Sequence, residues 1–117
     1  MSPEKIGEIG GDIENLEQNL AGLEANLDDS FSPQLKFIRA LFNEMKEKPR
    51  EFNNIQKLKD LKKYCEGLSG LIELENKKMK DYNENMRRAT EIVKKLQHIL
   101  SLLNSVPPKE RTFPELG

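Results

Sequence analysis

The first segment of the chain, residues 3–27, reads PEKIGEIGGDIENLEQNLAGLEANL. Its large apolar residues recur at alternating spacings of three and four, and they are Ile6, Ile9, Ile13, Leu16, Leu20, Leu23 and Leu27. This heptad spacing keeps one apolar stripe on one side of a helix that packs along its whole length. Ser2 and Pro3 match a helix N-cap and a first helical position. The segment therefore predicts an amphipathic helix over about residues 3–29.

The predicted first helix is also rich in glycine. Gly7, Gly10, Gly11 and Gly22 lie inside it, and each costs up to about 1 kcal/mol relative to alanine in a helix interior. We therefore expect this helix to be weak alone and to be held by packing against a partner surface.

The heptad spacing returns in the second half of the chain. Its inward positions are Leu58, Leu61, Cys65, Leu68, Ile72, Glu75, Met79, Tyr82, Met86, Ala89, Val93, Leu96, Leu100 and Leu103. The phase is preserved across Gly67 and Gly70, which favours one helix over about residues 50–105, roughly 80 Å long at 1.5 Å per residue. The alternative is a break near Gly67–Gly70, because glycine readily ends a helix. Glu75 is the charged member of the stripe, and we expect the stripe to be open to water there.

A shorter helix is predicted between these two tracts. Ser32 and Pro33 repeat the N-cap and first-position pattern, and an apolar face follows over about residues 33–47. Pro49 marks its end, because proline removes a backbone donor and biases the residue before it away from helix.

These patterns predict an all-α fold, an extended helical bundle or coiled coil. It would have three helices (short, short, long), or four if the chain breaks near Gly67–Gly70. Residues 1–108 would form a single domain, with helices over about 3–29, 33–47 and 50–105, followed by an irregular tail at 109–117 that begins after Pro107 and Pro108.

Composition excludes several classes of function. The chain has 117 residues, with 33% charged, 36% hydrophobic and 6% aromatic residues and no tryptophan. No apolar run approaches the roughly 20 residues of a membrane-spanning helix, and no secretory leader is expected. One cysteine and one histidine cannot form a His/Cys zinc site. We expect no metal and no cofactor, and an intracellular location, cytoplasmic or nuclear, with association with the cytoskeleton as one option.

The charge is distributed unevenly. Residues 1–30 carry eight acidic residues against one base, Lys5, and the remaining residues carry 18 bases against 12 acids. The two parts could attract each other within one chain or between chains. Acidic residues are interleaved with the basic clusters, and no aromatic residues are interleaved with them, so nucleic-acid binding is not expected.

No catalytic group of residues is evident. Cys65 occupies an apolar position, where a thiol behaves as a small hydrophobe. His98 lies opposite the apolar stripe without a second histidine at helical spacing, so we interpret it as a solvated helix residue. A catalytic pocket needs convergent polar groups, and the sequence therefore predicts that the protein is not an enzyme.

The order of helices and the proline-rich exit resemble the N-terminal coiled-coil regions of spindle- and kinetochore-associated (Ska) complex subunits. The local similarity covers about the last third of the chain, at Glu73-Leu74-Glu75, Tyr82-Asn83-Glu84-Asn85 and Leu102-Leu103-Asn104-Ser105-Val106-Pro107. The resemblance implies an intertwined helical assembly of several subunits. It assigns no functional residue.

The predicted function is that of a non-catalytic coiled-coil subunit of a multi-protein assembly, cytoskeletal or kinetochore-like, with helical protein partners and a homo- or hetero-oligomeric state. Its partner interface would be formed by Ile6, Ile9, Ile13, Leu16, Leu20, Leu23, Leu27, Met79, Tyr82, Met86, Val93, Leu96, Leu100 and Leu103. The alternative is a self-contained monomeric helical-bundle adaptor that binds a helical peptide of a partner protein.

Overall fold

A computed structural model of the chain describes residues 1–75 and 80–116. Within these residues the secondary structure is helical and contains no strand, which confirms the all-α prediction. The α-helices are α1 (Pro3–Asn26), α2 (Ser32–Glu47), α3 (Ile55–Leu74) and α4 (Tyr82–Asn104). Short 3-10 helices occur at Asp29–Phe31, Pro49–Asn53 and Pro108–Glu110.

The start of α1 follows the N-cap prediction. The hydroxyl oxygen of Ser2 accepts a hydrogen bond from the Lys5 amide at 3.2 Å, and Pro3 is the first helical residue. The helix ends at Asn26, three residues before the expected end. There the carboxylate of Asp28 accepts a hydrogen bond from the Ser30 amide at 3.0 Å and caps the following 3-10 helix.

The ends of α2 and the start of α3 also have local causes. Ser32 is the first residue of α2 rather than its cap, which moves the helix one residue from the prediction. The helix ends at Glu47, just before Pro49, which opens the 3-10 helix that leads to α3. The side chain of Asn54 then caps α3 by accepting a hydrogen bond from the Gln56 amide at 3.2 Å.

The single long helix predicted over residues 50–105 is wrong, because the chain reverses between α3 and α4. Asp81, directly before α4, has a φ of 57°, in the left-handed region. The alternative break near Gly67–Gly70 is also wrong, since both glycines lie within α3. Glu75 is the exposed C-cap of α3. The charged position in the heptad tract therefore marks the end of a helix.

The helices form an up-and-down bundle in which each helix is antiparallel to the one before it. Arg39 of α2 reaches Glu24 of α1, and Phe37 of α2 packs on Tyr64 of α3. The fourth helix packs along both α1 and α3. The bundle measures 47 × 21 × 21 Å, far shorter than a continuous 50–105 helix, because α3 and α4 bury their apolar stripes against each other.

The C-terminal segment folds back over the end of the bundle where α1 begins and α4 ends. Arg111 donates a hydrogen bond from Nε to the Leu103 carbonyl oxygen at 2.9 Å. Phe113 is buried, and its ring lies 5.9 Å from that of Phe52 in the α2–α3 connection. The Met1 ammonium group donates to the Glu110 carbonyl oxygen at 3.0 Å. Irregular backbone at residues 111–116 is thus packed against the helices.

Candidate functional site

The residues predicted to face a partner lie mainly inside this one chain. The buried members of the predicted interface are Ile9, Ile13, Leu16, Leu20, Leu23, Leu96, Leu100 and Leu103. The partly buried members are Ile6, Leu27, Tyr82, Met86 and Val93, and Met79 lies outside the described residues. In this fold the chain's own helices occupy the surface that the sequence assigned to a partner.

The buried stripe of α4 is wider than the predicted stripe. Ile92 and Ile99 are fully buried, whereas Val93 is only partly buried. The reason is that α4 contacts two neighbours, α1 and α3. A helix packed in a globular bundle buries a broader apolar face than the narrow seam of a two-stranded coiled coil.

A polar group bridges α1 and α4 at the edge of the core. Asp12 is 7% exposed, and its Oδ2 lies 2.5 Å from His98 Nδ1. The Nζ of Lys95 lies 3.8 Å from the other carboxylate oxygen of Asp12. The His98 side chain is half-exposed, as we expected for a solvated residue, but its contact with Asp12 also joins α4 to α1. In the part of the chain that the structure describes, no His/Cys/Asp/Glu cluster could hold a metal ion.

The single thiol is poorly suited to act as a nucleophile. Cys65 is 3% exposed, and burial raises its pKa to about 12. The thiolate is the reactive form, so at neutral pH this side chain is a neutral member of the core.

Much of the basic charge is paired within the chain. Lys57 Nζ lies 2.5 Å from Glu44 Oε1 and also pairs with Glu51, and these carboxylates raise the pKa of Lys57. Arg87 lies 2.6 Å from Glu84, whose carboxylate raises the pKa of the guanidinium. Lys77 and Lys78 lie outside the described residues.

An apolar groove of about 560 Å³ lies between α2 and α3. We call it the α2–α3 groove. Its lining residues are Pro33, Gln34, Phe37, Ile38, Lys63, Tyr64, Gly67, Leu68 and Leu71. The volume falls within the range of about 300–1,000 Å³ that is typical of ligand-binding clefts.

Exposed apolar side chains gather on this side of the bundle. Within the described residues, the large hydrophobic side chains that are exposed are Phe37 (46%), Tyr64 (48%), Leu71 (38%) and Leu74 (82%). The Phe37 and Tyr64 rings meet edge to face, with centroids 4.4 Å apart. Solvent-exposed apolar patches of this kind mark interaction sites more often than single exposed residues do.

Two features of the groove lining bear on what could bind there. Gly67 is surrounded by open space, since a Cβ placed there would meet nothing within 4 Å. The amide oxygen of Gln34 is buried and has no hydrogen-bond partner in the described part of the chain. The groove therefore combines an empty position on α3 with an unpaired acceptor on α2.

Sequence reasoning did not identify this groove, although α3 carries a signal for it. Tyr64, Gly67, Leu71 and Leu74 follow a spacing of 3-4-3, which is a second stripe next to the buried one. A helix with apolar residues on two faces has two surfaces to cover, and α2 covers only part of the second.

Comparisons with known proteins add no family or function. No family model, no curated protein and no solved structure matches this chain. The resemblance to Ska complex subunits accordingly stays a prediction. Of the helices in the described ranges, 1–75 and 80–116, none combines the length and the apolar character needed to cross a membrane.

Proposed function

We propose that this chain is a non-catalytic protein-interaction module, a self-contained helical bundle that binds a helical segment of another protein in the α2–α3 groove. One observation carries the proposal: the heptad stripes of α1, α3 and α4 pack against one another inside the chain, while exposed large hydrophobic side chains gather along α2 and α3. Docking of an amphipathic helix into an apolar groove is a recurrent mode of peptide recognition.

The proposal selects the adaptor over the coiled-coil subunit as the leading function. A coiled-coil subunit would use residues such as Leu16 and Leu96 to bind a partner, and both are at most 2% exposed in the bundle. Withdrawing a buried leucine from a core costs about 2–5 kcal/mol per side chain, judged from Leu→Ala substitutions. Side chains along the α2–α3 groove can gain contacts without that cost.

The first test is mass in solution by light scattering after gel filtration, over a concentration series. The adaptor should elute as a compact species of 13.5 kDa at every concentration. A stable dimer or larger species with early, elongated elution would reject the adaptor and favour the coiled-coil assembly.

A second test locates the binding surface. A photo-crosslinking residue is placed at Phe37 in the groove or at Gln18, which is exposed on α1, and the chain is expressed in its source cells. We expect discrete crosslinked products from position 37 that disappear when Tyr64→Glu is added, and none of these products from position 18. The same products from both positions would argue against a specific groove.

A further inference from the structure

The α2–α3 groove carries a basic residue on α3, and a second lysine lies next to its lining in the sequence of α2. Lys63 is the charged residue among those that line the groove, and Lys36 is exposed on α2 beside Phe37. Within the described ranges, neither lysine lies within ion-pair distance of a carboxylate, whereas Lys57 and Lys62 of α3 are paired. An acidic side chain on a partner in the groove would therefore meet the Lys63 ammonium group, which has no ion-pair partner in this part of the chain, with Lys36 one residue from Phe37 on α2.

The exposed stripe of α3 contains a hole. Along it, Tyr64 and Leu71 stand on either side of Gly67, and the space over Gly67 is open. A side chain that packs between helices enters a hole formed by residues of the facing helix. A leucine or a similarly large apolar residue of a partner helix would fill this hole and contact Phe37 from α2.

A second copy of this chain fits the groove poorly. A two-fold symmetric dimer across the groove places each patch against its own copy, so the Lys63 ammonium groups of both copies would enter one interface, and the residues that line the groove include no carboxylate to pair with them. A head-to-tail contact would need exposed large hydrophobic side chains elsewhere on the chain. Within residues 1–75 and 80–116, those side chains all lie on α2 and α3.

The chain's own C-terminal segment packs against a different part of the bundle. Phe113 packs on Phe52, and Leu116 lies beside residues 46–51. These contacts are at the end of α2 opposite Pro33, which lines the groove. The tail therefore does not fill the groove.

From this geometry we infer that the α2–α3 groove binds an amphipathic helix of another protein, which inserts a large apolar side chain over Gly67 and places acidic residues beside Lys36 and Lys63. This inference rests on the proposed function and specifies the chemistry of the partner. Asp60, one turn before Lys63 and Tyr64 on α3, is exposed and its carboxylate accepts a hydrogen bond from Gln56, so the acidic residues of the partner belong on the Gly67 side of Lys63.

The test uses two synthetic helical peptides with the same leucine stripe at heptad spacing, one flanked by glutamates and the other by lysines. Each is titrated into the full chain, and binding is followed by fluorescence anisotropy and by amide NMR shifts. The glutamate peptide should shift the amide resonances of Phe37, Gly67 and Leu71, and it should bind at least about fivefold more tightly than the lysine peptide, as expected for a few rim charge pairs. This preference should shrink at high salt.

Charge-reversal variants provide the matched control. Lys36→Glu with Lys63→Glu should weaken binding of the glutamate peptide by about fivefold or more and strengthen binding of the lysine peptide. Lys94→Glu with Lys109→Glu changes the net charge equally at exposed positions outside the groove, and it should leave the ratio of the two affinities nearly unchanged. Circular dichroism checks that both variants remain helical.

Filling the hole tests the apolar part of the inference. Gly67→Leu should weaken glutamate-peptide binding by about tenfold, because the loss of one well-buried apolar contact is worth roughly that factor. Gly70→Leu is the control, since Gly70 also faces open space in α3 but does not line the groove. Equal loss in both variants would overturn the assignment of the hole.

The outcomes separate this inference from the proposed function. Equal binding of both peptides in the groove would overturn the acidic partner but support helix capture. No shift at Phe37, Gly67 or Leu71 with either peptide would overturn the inference, and the mass and crosslinking experiments would then decide the proposed function. If these resonances shift with the chain's own concentration, the occupant is a second copy and the inference is wrong.

Discussion

The α1–α4 pair and the α2–α3 pair are both antiparallel, but they place their apolar residues differently. In α1 and α4 the inward side chains are buried, and Leu20 and Leu96, for example, are at most 1% exposed. Lys5 also donates a hydrogen bond to Ser105 across this pair at 2.8 Å. In α2 and α3, Phe37 and Tyr64 touch each other while each remains nearly half-exposed. The comparison shows that α1 and α4 bury the apolar residues between them, whereas α2 and α3 leave part of their apolar surface exposed.

Helix length explains part of this difference. The partners α1 and α4 have 24 and 23 residues, whereas α2 has 16 and α3 has 20. At 1.5 Å per residue, α2 is about 6 Å shorter than α3, roughly one turn. The last turn of α3 therefore extends past the cover that α2 provides, and Leu74 is left 82% exposed.

The largest effect is expected from shortening a buried side chain of the α1–α4 pair. Leu96→Ala should lower the free energy of unfolding by about 3–4 kcal/mol, because Leu96 is fully buried and leaves a cavity. Tyr64→Ala in the α2–α3 pair should lower the free energy of unfolding by only about 1 kcal/mol, mainly because the edge-to-face contact with Phe37 is lost. Urea unfolding measures both values, and similar values for the two variants would remove the contrast between the pairs.

The second-largest loss of stability is expected from a substitution in the C-terminal segment. Phe113→Ala is expected to destabilise the protein by about 2–3 kcal/mol, less than a typical core phenylalanine, because the irregular segment around it can partly relax. Its ring packs on Phe52, which lies in the segment that connects α2 and α3. Thr112→Ala is the control, because Thr112 is exposed. Equal stability of the two variants would show that the tail does not support the α2–α3 end.

A third variant tests how α2 is held against α1. Arg39 donates to Glu17 at 2.7 Å and also pairs with Glu24. Its hydrogen bond to Glu24 is the largest cause of its raised pKa. Arg39→Ala should cost about 1 kcal/mol, since surface ion pairs contribute little even when several charges meet. The cost should shrink at high salt, and a salt-independent loss would assign it to packing on the Phe42 ring.

A substitution in α3 should stabilise the protein slightly. Gly70→Ala is expected to raise the free energy of unfolding by about 0.5–1 kcal/mol, the usual gain at an unstrained helix position. Gly22→Ala should gain less, because the new Cβ would collide with the Arg88 side chain, which must move. A larger gain from Gly22→Ala would mean that Arg88 contributes little to the packing of α1 on α4.

The smallest effect concerns pH at the contact between α2, α3 and the segment that joins them. The Lys57 ammonium group, by hydrogen bonding, lowers the pKa of Glu51 below its ordinary value. The pair therefore contributes to stability above that ordinary value and loses the contribution as the pH falls through the lowered pKa. A carboxyl NMR titration should find the Glu51 pKa lowered in the wild type and returned toward the ordinary value in Lys57→Met. An unchanged pKa in Lys57→Met would assign the shift to other groups.

The local part of the fold could be predicted from the sequence. The Ser2 cap, the Pro3 start and the apolar stripe of α1 depend on residues close together in the chain, and the structure confirms them. The reversal after α3 could not be predicted from phase, because both halves carry the same heptad spacing. It depends on packing of α3 against α4, in which residues far apart in sequence, such as Lys59 and Asn104, come together. Glu75 was the available signal, and it was interpreted as an opening of the stripe to water.

The candidate groove was missed for a related reason. The exposure of Phe37 and Tyr64 depends on how far α2 reaches along α3, which spacing within one helix does not reveal. Ile92 and Ile99 were missed because α4 has two neighbours and buries a wide face. In both cases, the number and length of neighbouring helices determined which apolar residues became core and which became surface.

The contact of the Met1 ammonium group with the Glu110 carbonyl oxygen brings the first residue and the C-terminal segment to the same pole of the bundle. The groove lies toward the other pole, beside Pro33 and Leu71. A fluorophore, a sensor surface or an additional domain attached before Met1 or after the C-terminal segment would therefore be joined to the bundle at this pole. The α2–α3 groove would then point away from the tether.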